Sequence, residues 1–161
     1  MLSRLLAYRG LRVYICSLFT VYVLLLNTVA QTAAFDSSLP NQIIESAIQC
    51  QNLGLAYLEE SQPQKAVEQF QKLVELLPKE AIGYGNLAVA QLRLKQIDSA
   101  WQIIQQGLKV VPTESRLHII AAEILQLRGQ FEPATEEIEE AVRLNPDDLE
   151  ARYQLVRQNL R

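Results

Sequence analysis

Few side chains in this chain are of the types that perform acid–base, nucleophilic or metal chemistry. Among its 161 residues there is one histidine, His118, and there are two cysteines, the second of which is Cys50. Paired carboxylates can serve as general acid and base, and a thiol beside an imidazole can serve as a nucleophile. Four closely spaced glutamates complete the set of candidates: Glu136, Glu137, Glu139 and Glu140.

The surrounding sequence does not support catalysis. No HExxH pair, nucleophile elbow or glycine-rich phosphate loop is present, and two cysteines cannot build a zinc site whose ligands are all cysteine. On one helix the four glutamates would spread over a solvated face. His118 is expected half-buried between helices, and Cys50 is expected as a small core side chain. The sequence therefore predicts a protein that is not an enzyme and that holds no cofactor or metal.

The composition excludes several other classes of protein. Hydrophobic residues make up 49% of the chain and charged residues 20%, with a formal net charge of −3. These values are ordinary for a globular domain and exclude a disordered or low-complexity protein. The acidic balance also lacks the basic surface of a nucleic-acid-binding protein, so no nucleic-acid partner is expected.

The first thirty residues have the composition of a targeting segment. Residues 1–12 contain three arginines and no acid, residues 13–26 are uncharged and mostly apolar, and small residues lead up to Ala30. A basic start, an apolar core and a small-residue cleavage site predict a secretory signal peptide at 1–30. The alternative is an uncleaved signal anchor, because residues 13–35 are long enough to span a hydrocarbon core of about 30 Å.

The placement of basic residues predicts the orientation of the chain. After Arg12 the next basic residue is Lys65, and the positive-inside rule therefore places residues 31–161 outside the cytoplasm. The expected location is periplasmic or secreted. With an anchor, the domain would lie on the non-cytoplasmic side and would touch the membrane only through its N-terminal segment. Residues 31–40 are interpreted as a linker.

A regular period organises the rest of the chain, with alanines at 66, 100 and 134 and prolines at 78, 112 and 146. Within each period apolar residues follow a helical spacing twice, and the proline stops the second helix because it lacks the N–H for the i→i−4 hydrogen bond. Gly54, Ala88 and Ala122 are expected where paired helices cross closely. The predicted helices are 41–60, 63–77, 81–94, 97–110, 115–128, 131–144 and 148–160.

The first period reads Cys50-x2-Leu53-Gly54-x2-Tyr57, then Ala66-x3-Phe70, then Pro78. This pattern resembles the tetratricopeptide repeat (TPR), with a cysteine in place of the usual tryptophan. The resemblance implies an all-α fold, a right-handed α–α superhelix of three repeats with a C-terminal capping helix. The implied domain is 41–161, with repeats at 47–80, 81–114 and 115–148 and the cap at 148–160. The face of the cap expected to cover repeat three carries Leu149, Tyr153, Val156 and Leu160.

The resemblance also implies where a partner would bind. The first helix of each TPR lines a concave groove, and apolar groove positions in repeats 1 and 2 suit an amphipathic helix or an extended apolar peptide. Some TPR proteins grip acidic C-termini with a two-carboxylate clamp, but here Asn86 matches that clamp, Arg116 matches in part, and two of its three cations are missing. The implied groove residues are Ile48, Gln51, Leu55, Leu58, Ile82, Asn86, Val89, Leu92, Arg93 and Arg116.

The expected function is a protein-interaction module or scaffold with a protein or peptide partner. Two alternatives for the groove stay open: Leu39, Ile43 and Ile44 fold over it, or a second copy of the chain covers it in a self-associating structural or assembly-factor stack. A third alternative is that the chain is the N-terminal TPR portion of a larger secreted protein.

Overall fold

The computed structural model describes the backbone of residues 40–159 and the side chains of residues 40–158. The predicted signal peptide or anchor at 1–30 lies outside these residues, as does all of the predicted linker except residue 40. Within the described part of the chain, no helix is both long and apolar enough to cross a bilayer. From Glu45 onward, the helices described below belong to one compact unit, Glu45–Arg161.

Residues 40–159 form seven helices and no strand, which confirms the predicted all-α fold class. Apart from the start of the first helix and the end of the last, which coincide with the limits of the described residues, each predicted helix end lies within one residue of the observed end. The helices are α1 (40–59), α2 (Pro63–Leu76), α3 (Ala81–Arg93), α4 (Ile97–Val110), α5 (Ser115–Leu127), α6 (Phe131–Leu144) and α7 (Leu149–Asn159).

The turn inside each repeat depends on one residue in the left-handed region. Ser61, Lys95 and Gly129 have φ values of 57°, 60° and 74°, and they follow one another at the same spacing as the repeated alanines and prolines. Glycine adopts this conformation without a steric cost, whereas serine and lysine do not. The third turn is therefore the least strained of the three, and the chain reverses direction at the same place in every repeat.

Close crossings at small residues hold the two helices of each repeat together, as predicted. Gly54 lies against the ring of Phe70, and a Cβ atom placed on Gly54 would overlap that ring, at 2.7 Å from the ring carbon Cζ. Ala88 packs with Ile104 at the equivalent crossing of repeat two. Ala122 and Ile138 pack together in repeat three, and all four of these residues are fully buried. The second helices contribute equally small, fully buried residues at the repeat spacing: Ala66, Ala100 and Ala134.

Side chains at the start of α3 and α5 fasten each repeat to the end of the preceding one. The hydroxyl of Tyr84 donates a hydrogen bond of 3.0 Å to the carbonyl oxygen of Pro78. In the next repeat, Nε2 of His118 lies 2.9 Å from the carbonyl oxygen of Pro112. Carbonyl groups at helix ends lack intrahelical partners. The two contacts give such partners to the carbonyl groups of Pro78 and Pro112, which follow α2 and α4.

Helix α7 packs against α6 as a cap should, but it uses a different face from the predicted one. Leu149, Tyr153 and Val156 are 77%, 62% and 59% exposed, so the prediction that they cover repeat three is wrong. Leu160, the fourth residue of the predicted face, lies outside the described residues.

The buried face of α7 is built around a small residue. Ala151 is fully buried against Ile119 and Ala141, and Leu155 packs on the cluster formed by α5 and α6. Ala151 stands one repeat length after Leu117, which is itself buried in α5. The alanine lets α7 approach α6 closely, and this rotates the larger apolar side chains of α7 toward solvent.

Replacing Gly54 by Ala tests the close crossing of α1 and α2. Because the added methyl group overlaps the buried Phe70 ring, we expect the free energy of unfolding to fall by about 1–3 kcal/mol. Gly85→Ala is the matched control, since its Cβ would lie 3.4 Å from the nearest atom, Cδ1 of Ile120, and alanine favours helix. Urea unfolding followed by circular dichroism compares the two, and equal stabilities would contradict the proposed crossing.

Candidate functional site

His118 is engaged on both sides of its ring. Its Nδ1 lies 2.7 Å from Oε2 of Glu137 on α6, and its Nε2 faces the carbonyl oxygen of Pro112. The side chain is buried between α5 and α6, more deeply than predicted. Both ring nitrogens thus make contacts within the fold, and His118 ties α5 to α6 and to the segment that follows α4.

The acidic stretch on α6 is only partly a solvated face. Glu136 and Glu139 are exposed as predicted, but the prediction is wrong for Glu137, which is half-buried against His118. Glu140 accepts hydrogen bonds from the guanidinium of Arg143, and these bonds lower the pKa of the Glu140 carboxyl and raise the pKa of Arg143.

The other candidate groups are also held by packing. Cys50 is half-buried in the apolar cluster that joins α1, α2 and α3. Among the described residues, no group of three histidine, cysteine, aspartate or glutamate side chains is placed to hold a metal ion.

The first helices of the three repeats lie next to one another. Ala47 of α1 shares an apolar cluster with Leu87 of α3, and Ala88 of α3 shares another with Ile120 and Ile124 of α5. With their inner faces packed in this way, α1, α3 and α5 present their outer faces side by side. We call this surface the groove face.

Aliphatic side chains remain exposed on the groove face where the sequence predicted them. Ile48 and Leu55 of α1 are 52% and 40% exposed, and Ile82 of α3 is 37% exposed. Val89 and Leu92 are partly buried against the α3–α4–α5 core, so they add little to the exposed aliphatic surface. Of the other predicted positions, Gln51 and Leu58 are half-buried and Arg93 and Arg116 are exposed.

Asn86 lies beneath the surface rather than on it. It is only 4% exposed, and its side-chain oxygen accepts a hydrogen bond of 3.3 Å from Nη2 of Arg116. Asn86 therefore positions the guanidinium of Arg116 from below instead of facing a partner. A spacing argument cannot reveal this pairing, because the two residues belong to different repeats.

One pocket opens between the N-terminal ends of α3 and α5. Its volume is about 230 Å³, and Gly85 contributes backbone without a side chain to its wall. Sequence reasoning missed the two carboxylates at its rim, Glu80 and Glu114, which directly precede α3 and α5. The lining residues are Glu80, Ala81, Ile82, Gly85, Glu114, Arg116 and Leu117.

A second pocket, of about 250 Å³, lies at the C-terminal ends of α1 and α3. It is lined by Leu58 and Arg93, which the sequence predicted, and by Ser61 and Pro63 of the α1–α2 turn, which the sequence did not. Four of the ten predicted residues thus line these pockets, two in each. Each pocket combines an aliphatic side chain with an arginine.

Residues 57–124 match the sequence profile of the tetratricopeptide repeat. The stack is a tetratricopeptide repeat fold. No curated protein sequence matches the chain closely enough to count as a relative.

Solved TPR structures superpose on most of the stack. The Arabidopsis OM64 TPR domain is 19% identical, covers 73% of this chain and 98% of its own, and has a TM-score of 0.66. The second TPR domain of human RPAP3, solved with the HSP70 peptide SGPTIEEVD, is 18% identical over 73% and 98% of the two chains, with a TM-score of 0.64. At this level of identity the likeness is one of fold.

A bacterial structure has the same fold. The Yersinia enterocolitica type III secretion chaperone SycD, solved with a peptide of the translocator YopD, is 21% identical over 72% of this chain and 88% of its own, with a TM-score of 0.63.

Replacing His118 by Ala tests its structural role. The change removes both contacts and leaves the carbonyl of Pro112 without its partner, which costs about 1–3 kcal/mol in the free energy of unfolding. Glu137→Gln is the control, because it keeps an oxygen facing Nδ1 and is expected to cost less. Thermal unfolding measures both variants. A His118→Ala variant as stable as the unaltered protein would contradict the role.

Proposed function

We propose that the TPR stack is a non-enzymatic protein-interaction module that binds an apolar peptide or amphipathic helix along α1 and α3. The observation that carries this proposal is the exposed aliphatic row of Ile48, Leu55 and Ile82, with one pocket between the N-terminal ends of α3 and α5 and another at the C-terminal ends of α1 and α3. An apolar surface between polar edges is typical of a site that a partner covers. A helix laid into such a groove anchors itself through side chains on one face.

The charges at the two pockets define the partner further. Of the described residues that line the first pocket, Glu80 and Glu114 are acidic and Arg116 alone is basic. An acidic peptide tail would meet two carboxylates there, so this pocket favours an uncharged aliphatic side chain. Within the described part of the chain, Arg93 is the one charged residue that lines the second pocket, and it suits an acidic or C-terminal group of the same partner. The preferred ligand is therefore apolar at one end and acidic at the other.

Two of the solved TPR structures support a peptide ligand. RPAP3 was solved with a peptide of HSP70, and SycD with a peptide of the translocator YopD. The RPAP3 ligand ends in an acidic run, whereas this chain lacks two of the three cations of the two-carboxylate clamp. An apolar segment is for that reason the better ligand for this stack.

We also propose that the stack works outside the cytoplasm, either free after cleavage at Ala30 or held to the membrane by residues 13–35. The support is the basic start, the apolar run and the absence of Lys and Arg between residues 12 and 65.

Placing charge on the aliphatic row tests partner binding. Leu55→Glu with Ile82→Glu should remove recovery of the partner when the tagged protein is purified from its native host, because burying an unpaired carboxylate is costly. Both positions are exposed, so helicity and thermal stability should be retained. The matched control carries the same two charges on exposed positions of α4, Gln102→Glu with Gln105→Glu, and should recover the partner in full. Equal recovery by both variants would move the site elsewhere.

Fractionation of the native host with intact-mass analysis tests the location. We expect either a mature chain that starts after Ala30 in the extracytoplasmic fraction or the full chain in the membrane fraction. In the second case, protease added from the non-cytoplasmic side should digest the stack. A cytosolic protein that retains residues 1–30 would contradict this proposal while leaving the peptide-binding proposal untouched.

A further inference from the structure

Helix α7 stands at the position of a first helix in the repeat pattern. Val156 follows Ala122 by one repeat length, yet Ala122 is fully buried under α6 and Val156 is largely exposed. Leu149 and Tyr153 are exposed on the same helix. We call the exposed side of α7, formed by Leu149, Tyr153 and Val156, the cap face.

The cap face is not shaped for the second helix of another repeat. At the crossing position, repeats one to three have Gly54, Ala88 and Ala122, whose small size admits the second helix. Helix α7 has a valine there, and its Arg152 stands at the position of the buried residue His118. A second helix of the usual kind would collide with the valine and would bury an unpaired guanidinium, which is costly.

The apolar residues of the cap face are spaced for pairing with another helix. Leu149, Tyr153 and Val156 are separated by four and then three positions, which is the spacing of a coiled-coil seam. We propose that the cap face pairs with the cap face of a second copy of this chain, with the two α7 helices antiparallel. In this arrangement Tyr153 of each copy packs against Val156 of the other copy about a two-fold axis.

The charges beside the seam favour the antiparallel direction. Glu150 and Arg157 occupy equivalent flanking positions, each following a seam residue, and antiparallel helices bring such positions together. Each Glu150 then meets Arg157 of the other copy, which gives two ion pairs per dimer. Parallel helices would instead place Arg152 against Arg157 of the other copy, and like charges there repel.

Both charged side chains keep capacity for a second partner. Arg157 donates one hydrogen bond of 3.3 Å to Gln126, and Glu150 accepts one of 2.9 Å from Gln154. A guanidinium has five N–H donors and a carboxylate about four acceptor sites, so neither group is saturated. The Gln126 contact also holds Arg157 on one flank of α7, where it borders the seam.

The size of the surface sets the expected strength. Two helices of 11 residues bury less area than the roughly 1,200–2,000 Å² of a stable, specific interface. A weak, concentration-dependent dimer is therefore expected, and charge changes should shift it measurably.

Sedimentation equilibrium of the full chain in a density-matched detergent tests the pairing. The unaltered chain should show a monomer–dimer equilibrium, and Tyr153→Glu should abolish the dimer. Glu150→Arg alone and Arg157→Glu alone should each weaken it about tenfold, because each replaces two attractions by two repulsions. Combining the two changes restores both pairs and should restore dimerisation. Gln105→Arg on an exposed position of α4 is the control for added charge and should change nothing.

Three results would overturn the proposal. A monomer at every concentration would exclude self-pairing. If the monomer–dimer equilibrium is unchanged in all of these variants, the contact between copies lies elsewhere, for example in residues 1–39. Tighter association of Arg157→Glu would indicate parallel helices. The Leu55→Glu with Ile82→Glu variant should still dimerise, so failure of this proposal and failure of peptide binding give different results.

Discussion

The separation between the two helices of each repeat is the constraint on which the rest of the structure depends. At Gly54, Ala88 and Ala122 the first helix offers almost no side chain, so a phenylalanine or isoleucine of the second helix packs directly against its backbone. Dispersion contacts weaken steeply with distance, and a wider crossing would lose many of them together. Because the same crossing recurs once in every repeat, the first helices come to lie side by side and their outer faces form one surface.

The two sides of the stack differ in what they present to solvent. The outer side of α2 is polar and exposes Gln71, Lys72 and Glu75, whereas α4 and α6 each expose one large apolar residue, at the last and the first position of the helix: Val110 and Phe131. The first helices expose Ile48 and Ile82 at equivalent repeat positions, and Leu55 lies two turns after Ile48 on α1. Helix packing requires apolar residues on inner faces only, so it does not account for this row. The row is explained if another molecule covers it. The unequal charges of the two pockets, with Glu80 and Glu114 beside the arginine in one and Arg93 without a lining carboxylate in the other, would give that molecule a direction.

Local signals in the sequence were enough to predict the helices, the turns between them and the close crossings, because prolines, small residues and apolar spacing act within a few residues of where they stand. Contacts between helices were not predictable in this way. Two sides of α7 carry apolar residues, and their spacing alone cannot show which side packs against the neighbouring helices. The buried side is centred on Ala151, whose small side chain gives only a weak hydrophobic signal in the sequence. The pairings of His118 with Glu137 and of Asn86 with Arg116 join helices that only the packed stack brings together.

The contacts of Tyr84 and His118 with the preceding proline carbonyls have a mechanical consequence. In a repeat protein each unit touches only its neighbours, so bending is governed by the joints between units. Here each of these joints is bridged by a side chain that reaches back to the end of the previous helix. These contacts hold neighbouring repeats together without a partner, so a molecule that covered the groove face would meet a preformed surface and the ordering cost on the stack would be small.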